Sequence, residues 1–287
     1  MGKKVLSLFS GVGMFDYAFR KLGWETVAFA EQDKWCQRVL EKHWPGVPCY
    51  SDVKDITYER LRTDGVARPE VICGGFPCQD LSVAGKQAGI DGDRSGLWSE
   101  FARIISELRP RYVIVENVSA LLTGDSGAWM RRVLGDITEI GYDCEWHVIP
   151  AGNADGRKLS AGAPHRRERV WIVAYPKNAK RWPRQLIKES ASERSQGNNQ
   201  LSGSSDAANS NSDGRSGKKG SIKPSMGLLA HGVAAGLSRS RWLPEPRIGR
   251  VATGVPDRVN KLKALGNGLV WQIPYAIGKA IMNTTGR

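Results

Sequence analysis

The sequence predicts an α/β fold: a doubly wound, mostly parallel sheet covered on both faces, joined to a small, loop-rich lobe. Three observations carry that prediction. Short apolar runs alternate with amphipathic stretches of helical period through residues 4–174, the pattern of strand–helix–strand units. A glycine-rich turn, Ser10-Gly11-Val12-Gly13, follows the first run and opens a helix. A polar tract from Lys177 to Arg250 then interrupts the alternation; its 14 basic and 5 acidic residues hold +9 of the formal net charge of +13.

Taken in order, Lys4–Phe9 reads as a buried strand, Met14–Leu22 as a helix and Thr26–Glu31 as a second strand. Lys34–His43 is helical, with Trp35, Val39 and Leu40 on one apolar face. Val71-Ile72-Cys73 is a short strand, Leu97–Leu108 a helix, and Tyr112–Val115 a strand closed by Glu116. Trp129–Ile140 is helical, and strands follow near Cys144–Ile149 and Val170–Ala174. Gln272–Ile281 is an apolar helix expected to pack back on the sheet. Residues 1–175 and 256–287 therefore form one domain, and residues 176–255 a separate region of partly low complexity. No internal repeat is visible.

Composition removes several classes of function. A chain of 287 residues has room for one good-sized domain and a smaller lobe. No apolar run is long enough to span a membrane. Asp16 and Arg20 follow the first apolar run too soon for a secretory signal, and Leu6 stands where myristoylation needs Ser or Thr. The five cysteines (Cys36, Cys49, Cys73, Cys78 and Cys144) are scattered without a C-x-x-C pair, so neither a disulfide framework nor a metal site is expected. The expectation is a soluble, cytoplasmic protein with a polyanion among its partners.

Several short segments bear chemistry. The glycine turn lets backbone approach a ligand, but Asp16 stands where a dinucleotide fingerprint wants its third glycine. Glu31, twenty residues beyond Gly11, is placed to accept from ribose hydroxyls, and Asp52 to meet an adenine amino group. A nucleoside with a small charged tail fits this set better than a nicotinamide dinucleotide. Gly74-Gly75-Phe76-Pro77-Cys78-Gln79 puts a cysteine just beyond a strand's carboxyl end, where open α/β sheets bind ligands. Cys36, Cys73 and Cys144 read instead as inert, small apolar residues. Ser82 through Gly96 has the glycine content of a lid.

Glu116-Asn117-Val118 ends the fourth long strand, so Glu116 and Cys78 are expected over one pocket; Asn117 could simply brace the turn. In His165-Arg166-Arg167-Glu168-Arg169, alternation puts Arg167 and Arg169 on one face, either of a site or of a charged edge strand. The basic tract is either a solvated insertion or a nucleic-acid arm that uses Trp182, Trp242 and its amides.

In this order the pieces resemble the cytosine-C5 DNA methyltransferase family. The matching segments are Ser7-Leu8-Phe9-Ser10-Gly11-Val12-Gly13, Gly75-Phe76-Pro77-Cys78-Gln79, Glu116-Asn117-Val118, Arg167-Glu168-Arg169 and Ala264-Leu265-Gly266-Asn267-Gly268. The resemblance implies a Rossmann-like methyltransferase fold, with residues 176–255 as target-recognition region. It implies Cys78 as nucleophile toward carbon 6 of a flipped cytosine, Glu116 at the N3 edge, Arg169 at the base carbonyl and Arg167 as an orienting group. It implies an S-adenosyl-L-methionine site lined by Phe9, Gly11, Gly13, Phe76, Leu97 and Asn267, with Glu31 at ribose and Asp52 at adenine. The implied partner is double-stranded DNA, bound by a monomer, in a prokaryotic or phage-infected cell and alongside a cognate restriction endonuclease. The chain departs from the family at Met14, at Gln32 (where an aromatic often stacks on adenine), in Asn153–Ser160 and at Trp271. The alternatives are an RNA cytosine-5 methyltransferase and a non-catalytic DNA-binding protein on the same scaffold.

Overall fold

The computed structural model describes residues 2–77, 96–152, 160–163, 165, 167–177 and 256–285. The described strands are β1 (Lys4–Leu8), β2 (Glu25–Ala30), β3 (Cys49–Tyr50), β4 (Val71–Gly74), β5 (Tyr112–Val118), β6 (Tyr142–Pro150) and β7 (Glu168–Pro176). They form one sheet in the order β3-β2-β1-β4-β5-β7-β6. The first five pair in parallel, whereas β7 runs antiparallel to both β5 and β6. The helices are α1 (Met14–Arg20), α2 (Lys34–His43), α3 (Tyr58–Thr63), α4 (Gly96–Leu108), α5 (Ala120–Thr123), α6 (Ala128–Glu139), α7 (Arg258–Asn267) and α8 (Gln272–Thr285). The mostly parallel α/β sheet is the one the sequence predicts.

Most boundaries shift by one to four residues, and three differences bear on the site. β5 continues through Val118, so Glu116 and Asn117 lie within the strand rather than beyond it. β7 begins at Glu168, which takes Arg169 into the sheet, where it pairs with Val118 on one side and Ile149 on the other. Pairing on both sides excludes the charged edge strand, one of the two readings of this segment. The third difference is α7, a helix over residues expected only as a motif.

Alternation along the strands divides the core between two faces. Leu6, Leu8, Ile72, Val113, Val115, Val170 and Ile172 pack with Trp98, Phe101, Ile104 and Ile105 of α4 and with Trp129, Met130, Val133 and Ile137 of α6. On the opposite face, the ring of Phe15 in α1 lies edge-on to Trp171, with 5.7 Å between centroids. α8 lies close against α1: a methyl at Gly278 would come within 2.4 Å of Leu22. Trp271, one of the departures from the family, packs edge-on against Tyr17 at 5.4 Å and so ties the start of α8 to α1.

Local signals explain where the helices start. Asp33 caps α2 by accepting from the Trp35 and Cys36 amides at 2.9 and 3.3 Å, and Thr57 caps α3 through the Arg60 amide at 3.1 Å. Among the described residues, no helix is long and apolar enough to cross a membrane, and no group of three or more His, Cys, Asp or Glu residues is placed to hold a metal ion.

Candidate active site

Register brings the separated motifs to one edge of the sheet. Leu8 pairs with Ala30 on one side and Gly74 on the other, and Gly74 pairs with Val115. The carboxyl ends of β1, β2 and β4 are therefore level with Val115 of β5, so Phe9–Gly13, Glu31 and Gly75–Pro77 follow in a row beside Glu116, which is still within β5. β7 runs the other way, so its amino end delivers Glu168 and Arg169 to the same edge. A parallel sheet with one reversed strand collects residues from across the chain without any local contact between them.

At the first turn, Phe9, Gly11 and Gly13 all adopt left-handed backbone, with φ of 52°, 55° and 78°. Glycine tolerates this, whereas Phe9 bears a cost of about 1–2 kcal/mol. The ring of Phe9 is held by stacking on Phe101 at 6.3 Å. Gly13 begins α1, and a side chain there would strike the Trp44 ring at 2.7 Å. Beside Gly11 a methyl would meet nothing within 4 Å among the described residues, which leaves space over the turn.

Glu31 closes that space from the end of β2. Its two oxygens accept from the amides of Gly11 (2.6 Å) and Asp33 (2.7 Å), and each keeps a lone pair for a further donor. Gln37 donates to the Glu31 carbonyl at 2.5 Å and to Ser51 Oγ at 3.1 Å, which links Glu31 to the loop bearing Asp52. Asp52 is exposed and caps a single 3-10 turn through the Lys54 amide at 2.9 Å. An open glycine cradle beside an oriented carboxylate suits an adenosyl group. Phe76 is buried with its ring 5.2 Å from Trp98, Leu97 packs against the same core, and Asn267 is exposed at the end of α7.

The second half of the edge is built around Glu116. Its carboxylate lies 2.8 Å from Arg169 Nε. Gly75 makes room for it, since a methyl on Gly75 would come within 2.8 Å of Glu116 Oε2. Burial pushes the Glu116 carboxyl above the usual carboxylate range, outweighing Arg169 and Arg167, which act in the opposite direction. Burial and the neighbouring Arg169 likewise lower the pKa of Arg167. Arg167 donates to the carbonyls of Leu265 (3.5 Å) and Gly266 (2.9 Å), and its buried Nε meets no acceptor among the described residues. Asn117 does more than brace its own turn. Its Oδ1 accepts from the Val118 amide at 2.8 Å, while its Nδ2 donates to the Phe76 carbonyl at 3.2 Å and fixes the segment leading to Pro77.

Glu116, Arg167 and Arg169 thus come together at one end of this edge, and Phe9, Gly11, Gly13 and Glu31 at the other. Cys78, residues 82–95 of the expected lid, Asn153 to Leu159 and the recognition region from residue 178 to 255 lie outside the described residues. Sequence reasoning missed Gln37, Asp33 and Lys263. Asp33 bears a legible signal, an Asp immediately before a helical run; the Lys263–Asp33 ion pair, at 2.7 Å across 230 residues, has none.

Comparison with known proteins extends this picture. The family model for C-5 cytosine-specific DNA methylase matches residues 3–224. Type II methyltransferase M2.BsuMI of Bacillus subtilis is 34 % identical over 175 residues, covering 60 % of this chain and 41 % of that protein. Type II methyltransferase M.HhaI of Haemophilus parahaemolyticus is 32 % identical over 174 residues, covering 61 % of this chain and 49 % of that protein. The chain thus spans less than half the length of either relative. A crystal structure described as a prophage-encoded DNA modification methyltransferase of E. coli shares the fold, with a TM-score of 0.51 and 23 % identity over 61 % of this chain and 47 % of that one.

Proposed function

The chain belongs to the C-5 cytosine-specific DNA methylase family, and from that premise we propose that it is a sequence-specific DNA (cytosine-5-)-methyltransferase. The observation that carries the proposal is the Glu116 carboxylate, paired with Arg169 at 2.8 Å and packed against Gly75 in the segment that leads to Cys78. Burial raises the proton affinity of this carboxyl, the direction that favours sharing a proton with a ring nitrogen.

In this reading Cys78 attacks as its thiolate, forming a bond to C6 of cytosine. The C5–C6 electron pair moves onto C5 while Glu116 donates its proton at N3. Arg169 holds the base carbonyl and the Glu116 carboxylate together, and Arg167 keeps that pair oriented from the far side. When bound, S-adenosylmethionine supplies the electrophilic sulfonium methyl that the activated C5 takes. Loss of the C5 proton to solvent base then restores the double bond and expels the Cys78 thiolate, and N3 returns its proton to Glu116. Phe9, Gly11, Gly13 and Glu31 would hold the adenosyl group, with Asp52, Phe76, Leu97 and Asn267 around it.

A stacked base is out of reach of such a pocket, so it must be flipped, at a cost of a few kcal/mol. The basic residues between Lys177 and Arg250 are proposed to meet that cost through phosphate contacts and to read the target. The Type II methyltransferase names of the relatives support a cognate restriction endonuclease as companion. Incubation with duplex DNA and methyl-labelled S-adenosylmethionine tests the proposal. Label at carbon 5 of cytosine within one sequence context is expected. Label on adenine, on transfer RNA in preference to DNA, or on neither would overturn it.

A further inference from the structure

α7 is held in place in an uncommon manner. None of its residues is buried, and Val259, Leu262 and Leu265 are 78 %, 57 % and 74 % exposed. A surface helix normally buries its apolar stripe, so hydrophobic packing does not fix this one. Its two described side-chain attachments are polar and sit at opposite ends of the cleft. Toward the nucleoside end, Lys263 Nζ donates to Asp33 Oδ2 at 2.7 Å. Toward the Glu116 end, the last carbonyls of α7, those of Leu265 and Gly266, accept from Arg167, a cation placed where the helix dipole favours one.

Neither anchor stops at α7. The Asp33 amide donates to Glu31 at 2.7 Å, and Asp33 Oδ1 caps α2 through Trp35. Arg169 pairs with Glu116 at 2.8 Å, and the charge of Arg167 acts on both. A line of polar contacts therefore runs from Glu31 through Asp33, Lys263 and α7 to Arg167, whose charge acts on Glu116 through space.

We infer that α7 is a strap joining the two halves of the cleft, and that Lys263 is a positioning residue. By holding Asp33 it sets the Glu31 carboxylate for the adenosyl ligand, and by holding α7 it sets the carbonyls that orient Arg167. The ligand part of this inference rests on the nucleoside reading of the cleft; the strap itself does not.

Lys263→Glu, Lys263→Arg and Lys263→Glu/Asp33→Asn separate the possibilities. Asparagine at position 33 retains the cap on α2 while removing the charge. Reversing the charge of Lys263 replaces attraction by repulsion from Asp33 and Glu31. At about 50 mM salt, calorimetric titration with S-adenosylhomocysteine should show affinity about tenfold weaker for Lys263→Glu. Lys263→Arg should stay within about twofold of wild type, the double variant should regain most of the loss, and high salt should erase the difference.

In the ligand-free protein, amide hydrogen exchange over residues 258–267 should be about tenfold faster in Lys263→Glu. Unchanged exchange would overturn the strap. Faster exchange with unaltered affinity, or a double variant no better than Lys263→Glu, would remove the positioning role. Wild-type protein that gives no heat with S-adenosylhomocysteine would remove the nucleoside reading and with it that role, while exchange would still decide the strap.

Discussion

Asp16 offers the most quantitative test of how this fold supports its glycine turn. It lies in the first turn of α1, only 1 % exposed, where Ser7 Oγ and Thr26 Oγ1 donate to its carboxylate at 2.9 and 2.7 Å. Burial outweighs those hydrogen bonds and raises its pKa from 3.8 to about 6. A carboxyl whose pKa is higher in the folded state binds its extra proton in the native protein. Its contribution to stability is thus fully present below pH 3.8 and is lost as pH rises through about 6. The shift corresponds to about 3 kcal/mol. Asp16→Asn removes the titration but keeps the shape, and both hydroxyls can rotate to meet an amide. Urea unfolding from pH 4 to 8 should therefore show the variant gaining on wild type by about 2 kcal/mol, since part of the full shift is already lost by pH 4, with most of the gain complete by pH 7. A difference between the two proteins that stays flat across that range would refute the reasoning. So would a variant that is the less stable of the pair at pH 8 while matching it at pH 4.

Three other outcomes are expected. Glu116→Gln should lower kcat by about 10²–10⁴ while the Kd for S-adenosylhomocysteine stays within about twofold, measured by steady-state kinetics and calorimetry; equal losses in both would contradict the role assigned to the carboxyl. Gly13→Ala should cost about 2 kcal/mol or more in urea unfolding, because φ is 78° and the new methyl would meet Trp44 at 2.7 Å; wild-type stability would show that the turn is not constrained in this way. Affinity for duplex DNA should fall steeply with salt, by a log–log slope of about 0.9 for each phosphate neutralised. A flat dependence would remove the Lys177–Arg250 tract from the DNA interface.

Much of this was legible in the amino-acid order, for identifiable reasons. The buried strands β1, β2, β4 and β5 are short runs of apolar residues set between helical stretches, and parallel pairing demands such runs. β3 left no trace, because two residues paired with Phe29 and Ala30 are too few to show a period. α7 was read only as a motif, since its apolar residues face solvent and the helix signal is normally a buried stripe. The place of β7 inside the sheet was not legible, because the charged run Arg167-Glu168-Arg169 suits an edge strand until its partners on β5 and β6 are known.

The candidate site divides along similar lines. Glu31, Glu116 and the two arginines could be picked out because each stands at a strand end, and strand ends become neighbours once the sheet forms. The contacts that join those ends are of another kind. Lys263 to Asp33 and Arg167 to Gly266 are single polar bonds between distant parts of the chain, without a repeat, a spacing or a composition to announce them. In the sequence Asp16 is legible as a charge after the first apolar run and as a missing glycine; that it is a buried, hydrogen-bonded carboxyl depends on Ser7 of β1 and Thr26 of β2.

The central claim is that Cys78 bonds covalently to a cytosine ring that Glu116 has protonated. An oligonucleotide duplex containing the target with 5-fluorocytosine tests it directly, because fluorine at C5 cannot leave as a cation and elimination is blocked. With S-adenosylmethionine present, intact-mass and peptide analysis should find protein and DNA joined through Cys78, and Cys78→Ser should give no adduct. Methylation of ordinary DNA by the Ser variant at the parent rate, or an adduct at another residue, would contradict the account.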